Sequence, residues 1–213
     1  AVGCALGCLL GTLRAPRIIG STAIPQGPLP IATLLAVGLI LWNLRPFIPS
    51  LDLQNIVDNV KHLLSSPLPQ PLWTFQGVVT WLIIFHFLDA GGVRLIQEKY
   101  YPVLVMVVLG LGFFVVGSSI TVDRILGASL ALPLWIGFKK LQRPPILSLL
   151  TFVLIVGIGF TPFELRAEPA TFKWIPFQGA LGGNMFINVL ATTKKALLYA
   201  CLIYLLIESG LRL

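Results

Sequence analysis

The sequence predicts an all-α, polytopic membrane bundle of about seven transmembrane helices, with two interfacial segments and a parallel four-helix internal repeat. Three observations carry that expectation. Of the 213 residues, 56% are hydrophobic and only 11% charged, against roughly 45–50% and 25% in an ordinary soluble domain, and mean hydropathy is +0.91. The apolar residues are gathered into runs approaching the roughly 20 needed to cross about 30 Å of hydrocarbon, too long and too uniformly apolar for barrel strands. The charged residues sit at the ends of those runs. The formal charge of +7 would point to nucleic acid in a soluble protein, but basic residues scattered singly between apolar runs read as membrane anchors.

Taken in order, the first span is Ala1 to Leu13, closed by Arg14, Pro16 and Arg17. It opens inside an apolar run with no basic leader region, so a fragment of a longer chain is expected. The second span, Leu29 to Leu44, stops where Pro46 and Pro49 break the helix. Ser50 to Ser66 follows, with Leu53, Ile56, Val57, Val60, Leu63 and Leu64 at helical spacing and polar residues on the other face. An amphipathic helix this polar lies at the interface, with Ser50 as the expected N-cap and Asp52 in the first turn.

The third span, Leu72 to Ala90, carries Trp73 and Trp81; the fourth, Tyr100 to Val122, opens on the interfacial pair Tyr100 and Tyr101. The fifth, Ile125 to Phe138, contains Pro133 and is followed by Lys139, Lys140 and Arg143; the sixth runs from Pro145 to Phe160. A second interfacial segment, Glu164 to Asn188, holds aromatics and a lysine of the kind that anchor at headgroup level. The seventh span is Val189 to Ile207, and all of these form one transmembrane domain across residues 1–213.

The repeat is read from three ordered matches. Pro46-Phe47 matches Pro162-Phe163 at an offset of 116, Gly92-Val93-Arg94-Leu95 matches Gly210-Leu211-Arg212-Leu213 at 118, and Leu6-Gly7-Cys8-Leu9 matches Leu126-Gly127-Ala128-Ser129 at 120. A four-span unit pairs span two with six, three with seven and one with five. An even number preserves orientation, so the halves relate by an axis along the membrane normal. The loops after spans one, three, five and seven hold eight basic residues and the other side seven, namely Arg45, Lys61, Arg124, Arg166, Lys173, Lys194 and Lys195. The eight lie in shorter loops, which assigns them to the cytoplasm and both interfacial segments to the outside.

Few residues offer chemistry. His86 and Asp89 share a helix face in span three and are candidates for an intramembrane polar contact; the plainer reading has His86 bonding a neighbouring helix and Asp89 lying near Arg94. Glu208 and Arg212, one turn apart, read as a structural pair closing span seven, and Asp123 with Arg124 as the cap of span five. The most polar uncharged stretch contains Gln178, Gly179, Gly182, Gly183, Asn184 and Asn188. With Lys173, Trp174 and Lys194 it is the candidate site for a polar headgroup or glycan, weighed against an ordinary interfacial loop. Cys4, Cys8 and Cys201 lie in apolar stretches and behave as small hydrophobes. With no nucleotide loop, zinc-protease motif, nucleophile elbow or paired carboxylates in the sequence, no catalytic residue, metal or cofactor is expected.

Thr161-Pro162-Phe163-Glu164-Leu165, then Phe172-Lys173-Trp174-Ile175-Pro176-Phe177, a Gly/Asn-rich stretch, and Lys195-Ala196-Leu197-Leu198-Tyr199-Ala200-Cys201-Leu202 together resemble VanZ-like membrane proteins. The resemblance covers about fifty residues, strongest over residues 161–202, with a fainter echo from Leu44 to Leu95 and a relic of the family's aspartate-bearing segment at Val122 to Ala128. It implies an integral cell-envelope protein of undefined biochemistry, linked through the family's name-giving member to glycopeptide resistance, in a bacterial inner membrane. The expected function is non-enzymatic binding of a polar envelope or lipid ligand at the outer face. The alternatives are a transporter or channel with parallel repeats, and a passive anchor or assembly module for a partner domain. The expected partners are the lipid bilayer, that polar ligand and other copies or subunits, with no nucleic acid among them.

Overall fold

The computed structural model describes residues 29–45, 52–65, 69–91, 98–115, 121–138, 141–161 and 185–210. These residues are helical throughout: α1 (Leu29–Asn43), α2 (Leu53–Leu64), α3 (Pro71–Ala90), α4 (Tyr101–Phe113, entered through a 3-10 turn at Glu98–Tyr100), α5 (Val122–Gly137), α6 (Pro144–Gly159) and α7 (Met185–Glu208). Among them, α3 and residues Asn188–Glu208 of α7 are long and apolar enough to cross a membrane; Ile31–Asn43, Tyr101–Phe113 and Pro144–Gly159 are shorter apolar helices. Spans one and most of the second interfacial segment lie outside the described residues.

The centre of the molecule is α3. Its residues Val79 to Leu88 are buried without interruption, as expected of a helix apolar on every face, which is stable only when neighbours surround it. Its broadest interface is with α5, followed by α1 and α6, while α7 packs on α6 and α1. The α3/α5 contact is close because two glycines face each other: a Cβ on Gly127 would lie 2.7 Å from Gly77 Cα. Removing both side chains lets the backbones approach and spreads van der Waals contact along the helices.

Helix directions follow from paired residues. Thr74 meets Asp123, Gly77 meets Gly127 and Phe85 meets Trp135, so α3 and α5 run parallel. Gln76 meets Lys194 and His86 meets Glu208, so α3 and α7 are also parallel. Gly91 sits against Thr33, and Leu72 against Gly157, so α1 and α6 run opposite to α3. One end of the bundle therefore gathers the C-terminal ends of α1 and α6 with the N-terminal ends of α3 and α5 and the early turns of α7. Toward the other end lie Phe85, Tyr101 and Trp135, with the Phe85 and Tyr101 rings stacked at 4.6 Å.

Several local expectations change. The N-cap of α2 is Asp52, not Ser50: its extended backbone (φ −68°, ψ 120°) lets the carboxylate accept from Gln54 N–H, the bond an N-cap provides. The fourth span, expected to reach Val122, is helical only to Phe113, where Phe114 and Val115 N–H turn back to Leu111 and Gly112 carbonyls. Gly110 and Gly112 weaken helix propagation there. Asn188, placed in an interfacial loop, is inside α7, with Thr192 Oγ1 donating to its carbonyl at 2.9 Å.

Many large hydrophobics lie on the outside of these helices. Leu34 on α1, Met106 on α4 and Leu149 on α6 are 67%, 77% and 60% exposed, among many large hydrophobics on the same helices.

Candidate functional site

A cavity of about 300 Å³ opens at the end of the bundle where α1, α3, α5 and α7 meet. Each wall follows from how its helix starts or stops. At its C-terminus α1 unwinds: Asn43 Nδ2 bonds back to Leu39 O at 2.9 Å, and Leu44 N–H bonds to Leu41 O. This turn folds Arg45 back over its own helix, its Nε donating to Trp42 O at 3.2 Å and its guanidinium lying on the Trp42 ring, 3.2 Å from the centroid. A planar cation on an indole face is well placed electrostatically and keeps its outer N–H groups free to point elsewhere.

The second wall is the first half of α3. Pro71 starts the helix, as its fixed φ and missing N–H allow. Trp73, Gln76, Gly77 and Thr80 follow on the cavity side. Thr80 Oγ1 bonds to Gln76 O at 2.7 Å, which satisfies the hydroxyl within its own helix.

Asp123 joins this wall to the next. Its Oδ1 accepts from Gln70 N–H at 2.8 Å and from Thr74 Oγ1 at 2.9 Å. The sequence reading made Asp123 and Arg124 the cap of their own helix; instead Thr121 is the N-cap residue, without a side-chain bond, and Asp123 ties α5 to α3. The physical reason is proximity: the glycine contact at Gly77 and Gly127 draws α3 so close that its unpaired first-turn donors lie within reach of the carboxylate.

Arg124 takes up no side-chain hydrogen bond or ion pair among the described residues, and burial pushes its guanidinium below the usual arginine range. Arg45 is lowered in the same sense, first by burial and then by the charge of Arg124. Both remain protonated at physiological pH, because guanidinium does not titrate there. The third cation, Lys194 on α7, donates to Gln76 Oε1 at 3.2 Å and lies 5.5 Å from the Trp73 ring centroid. Its neighbour Lys195 faces outward and is exposed, as the 100° step between successive helical residues requires.

Among the described residues three cations thus line one cavity with a single carboxylate, a formal surplus of two positive charges. The ion pairs among the described residues are elsewhere, at Lys61–Asp58 and His86–Glu208. Arg45, Arg124 and Lys194 are half-buried; partly desolvated cations gain when something negative joins them, and perturbed charges in a cleft are a signature of binding sites.

Comparison with protein-family models, curated proteins and solved structures finds no match.

Of the residues expected to contact a ligand, Lys194 lines the cavity, Asn188 lies one and a half turns before it on α7, and Lys173, Trp174 and Asn184 are outside the described residues. His86 and Asp89 belong to the other end, about 15 and 20 Å along α3 from Gln76 at about 1.5 Å per residue. There His86 Nε2 meets Glu208 Oε2 at 2.9 Å, and the Tyr101 hydroxyl bonds Asp89 Oδ1 and lies 3.3 Å from Phe85 O. Glu208 therefore has a partner on α3 across the bundle, in addition to any role with Arg212, which is outside the described residues.

Sequence reasoning passed over Arg45, Arg124, Trp42, Trp73 and Gln76. A usable signal existed. Arg45, Arg124 and Lys194 were all assigned to one side of the membrane, and each stands at the edge of a different apolar run. Basic residues that end one helix (Arg45) or lie in the early turns of others (Arg124, Lys194) on the same side converge wherever those helices are neighbours.

Proposed function

We propose that this chain is a polytopic membrane protein of the VanZ-like kind, in a bacterial cytoplasmic membrane, whose outer-face cavity binds an anionic group of an envelope ligand. The observation that carries the reading is the convergence of Arg45, Arg124 and Lys194 on one cavity whose lone carboxylate is held by donors from α3.

The membrane part is supported by the large hydrophobics exposed together on α1, α4 and α6, such as Leu34, Met106 and Leu149, since exposed apolar surface of this kind marks protein or membrane contact. The orientation gains support too. Three of the seven basic residues counted for the outer side line the cavity, so four remain as potential anchors against eight on the cytoplasmic side, a clearer positive-inside bias. The parallel repeat is supported by the packing of α1 on α3 and of α6 on α7, and by the common direction of α3 and α7. Gln76 and Lys194, which touch, are 118 residues apart, an offset also found between the two Gly-x-Arg-Leu strings, so they are equivalent positions meeting near the axis relating the halves.

The cavity's size favours a headgroup over a glycan, because about 300 Å³ is the lower end of the 300–1,000 Å³ of small-molecule sites. The test uses the whole chain in phosphatidylcholine nanodiscs, alone and with an anionic amphiphile added: phosphatidylglycerol, phosphatidic acid or oleate. At least one should raise the thermal midpoint of the wild type, and the triple variant Arg45→Gln, Arg124→Gln, Lys194→Gln should lose that rise. A wild type indifferent to all three, or an equal rise in the triple variant, rejects the proposal.

The transporter reading is favoured by one observation, the parallel α3 and α7 flanking a polar cavity, since repeat-related helices often frame substrate sites. Proteoliposomes that take up a labelled anion in exchange for another would move the account to that reading.

A further inference from the structure

We infer that the cavity is built for a phosphomonoester carried on a membrane lipid, with Arg45 and Arg124 grasping the phosphoryl oxygens and Lys194 closing on it from α7. The inference rests on the anion-binding reading above and sharpens it in three ways: donor geometry, charge and depth.

The donors exceed what a carboxylate can use. Among the described residues Arg124 offers its whole guanidinium edge, Arg45 spends only its Nε on Trp42 O, and Lys194 spends one of three protons on Gln76. A carboxylate presents two oxygens to such a set, whereas a terminal phosphate presents three, and the planar fork of arginine matches phosphoryl oxygens in pairs. Charge points the same way. The surplus of two positive charges matches the −1.5 to −2 of a phosphomonoester at neutral pH, while a phosphodiester or a carboxylate brings only one negative charge.

Depth favours a lipid over a free ion. Gln76 and Thr80 are five and nine residues past the start of α3, which puts the inner wall of the cavity about 8–14 Å below the helix end. That span passes the headgroup layer and reaches the acyl boundary. Trp42 and Trp73 flank the cavity, and indoles settle at that level. Leu41, next to Trp42 in α1, and Val189, five residues before Lys194 in α7, are large exposed apolar residues on the helices that line the cavity, so those helices offer apolar surface to a chain attached to the phosphate.

The experiment is a set of titrations of the whole chain in phosphatidylcholine nanodiscs, read by tryptophan emission, with Trp42 and Trp73 as built-in reporters. Phosphatidic acid is compared with phosphatidylglycerol, oleate, glycerol 3-phosphate and inorganic phosphate. Phosphatidic acid should bind about tenfold or more tightly than phosphatidylglycerol or oleate. Arg124→Gln should weaken it about tenfold or more. Arg124→Lys, which keeps the charge and the fold but loses the fork, should weaken phosphatidic acid by several-fold and leave oleate nearly unchanged.

Oleate equal to phosphatidic acid overturns the phosphate assignment and leaves the anion site standing. Glycerol 3-phosphate or inorganic phosphate equal to phosphatidic acid overturns the lipid and keeps the phosphate. No saturable response to any probe overturns both this inference and the proposed function.

Discussion

Asp123 has two separable effects, and substituting it two ways distinguishes them. The carboxylate joins α5 to α3 through Gln70 N–H and Thr74 Oγ1, and it also puts the one negative charge into a cavity lined by three cations. Asp123→Asn keeps an acceptor oxygen and removes the charge; Asp123→Ala removes both. A cavity of about 300 Å³ is about 7 Å across, so the carboxylate lies within about that distance of anything bound. At an effective dielectric of about 20–40 the repulsion is about 1–2 kcal/mol for each negative charge on the ligand. Asp123→Asn should therefore tighten binding of a singly charged amphiphile about 5–30-fold, measured by tryptophan emission in nanodiscs. Asp123→Ala should tighten binding similarly but lose about 1–3 kcal/mol of stability as the charge-assisted bonds vanish, lowering the thermal midpoint about 2–4 °C per kcal/mol. Weaker or unchanged binding in Asp123→Asn refutes the electrostatic account of the cavity.

Other consequences follow from the same geometry. Gly127→Ala places a methyl group 2.7 Å from Gly77 Cα, so it should destabilise the protein by about 1–3 kcal/mol in a thermal melt, whereas Gly137→Ala, with open space around it, should not. Tyr101→Phe removes the hydroxyl bonded to Asp89 and should cost about 1–3 kcal/mol while leaving amphiphile binding intact, because that pair lies toward the far end of α3 from the cavity. Cysteines placed at Lys61 and Gln142 should label from opposite sides of the membrane in intact cells, Lys61 from outside; external labelling at Gln142 would reverse the orientation.

The helical class was legible because long, uniformly apolar runs satisfy their backbone most readily as helices. Helix starts read at Leu72 and Pro145 fall one residue inside the observed ones, because Pro71 and Pro144 are themselves the first helical residues of α3 and α6. The end at Phe113 was less legible, because the run stays apolar through Val116 before Gly117-Ser118-Ser119 and only Gly110 and Gly112 precede the stop. The site was mostly illegible for a different reason. Arg45, Arg124 and Lys194 are 149 residues apart from first to last, and each looks alone like an interfacial anchor; only the packing of four helices brings them to one cavity. Asp123 shows how a local rule misleads: an acid in a first turn reads as a cap, until a glycine contact brings another helix's donors to it. His86, by contrast, does bond a neighbouring helix, through Glu208, as the plainer reading of a lone histidine in an apolar run expects.

Phosphorus NMR of phosphatidic acid in nanodiscs holding the whole chain tests the central claim most directly. The account predicts a second, shifted phosphomonoester resonance that saturates at one lipid per chain and is absent in the Arg45→Gln, Arg124→Gln double variant. A single unshifted resonance with the wild type, or a shifted one that persists in the double variant, would contradict it.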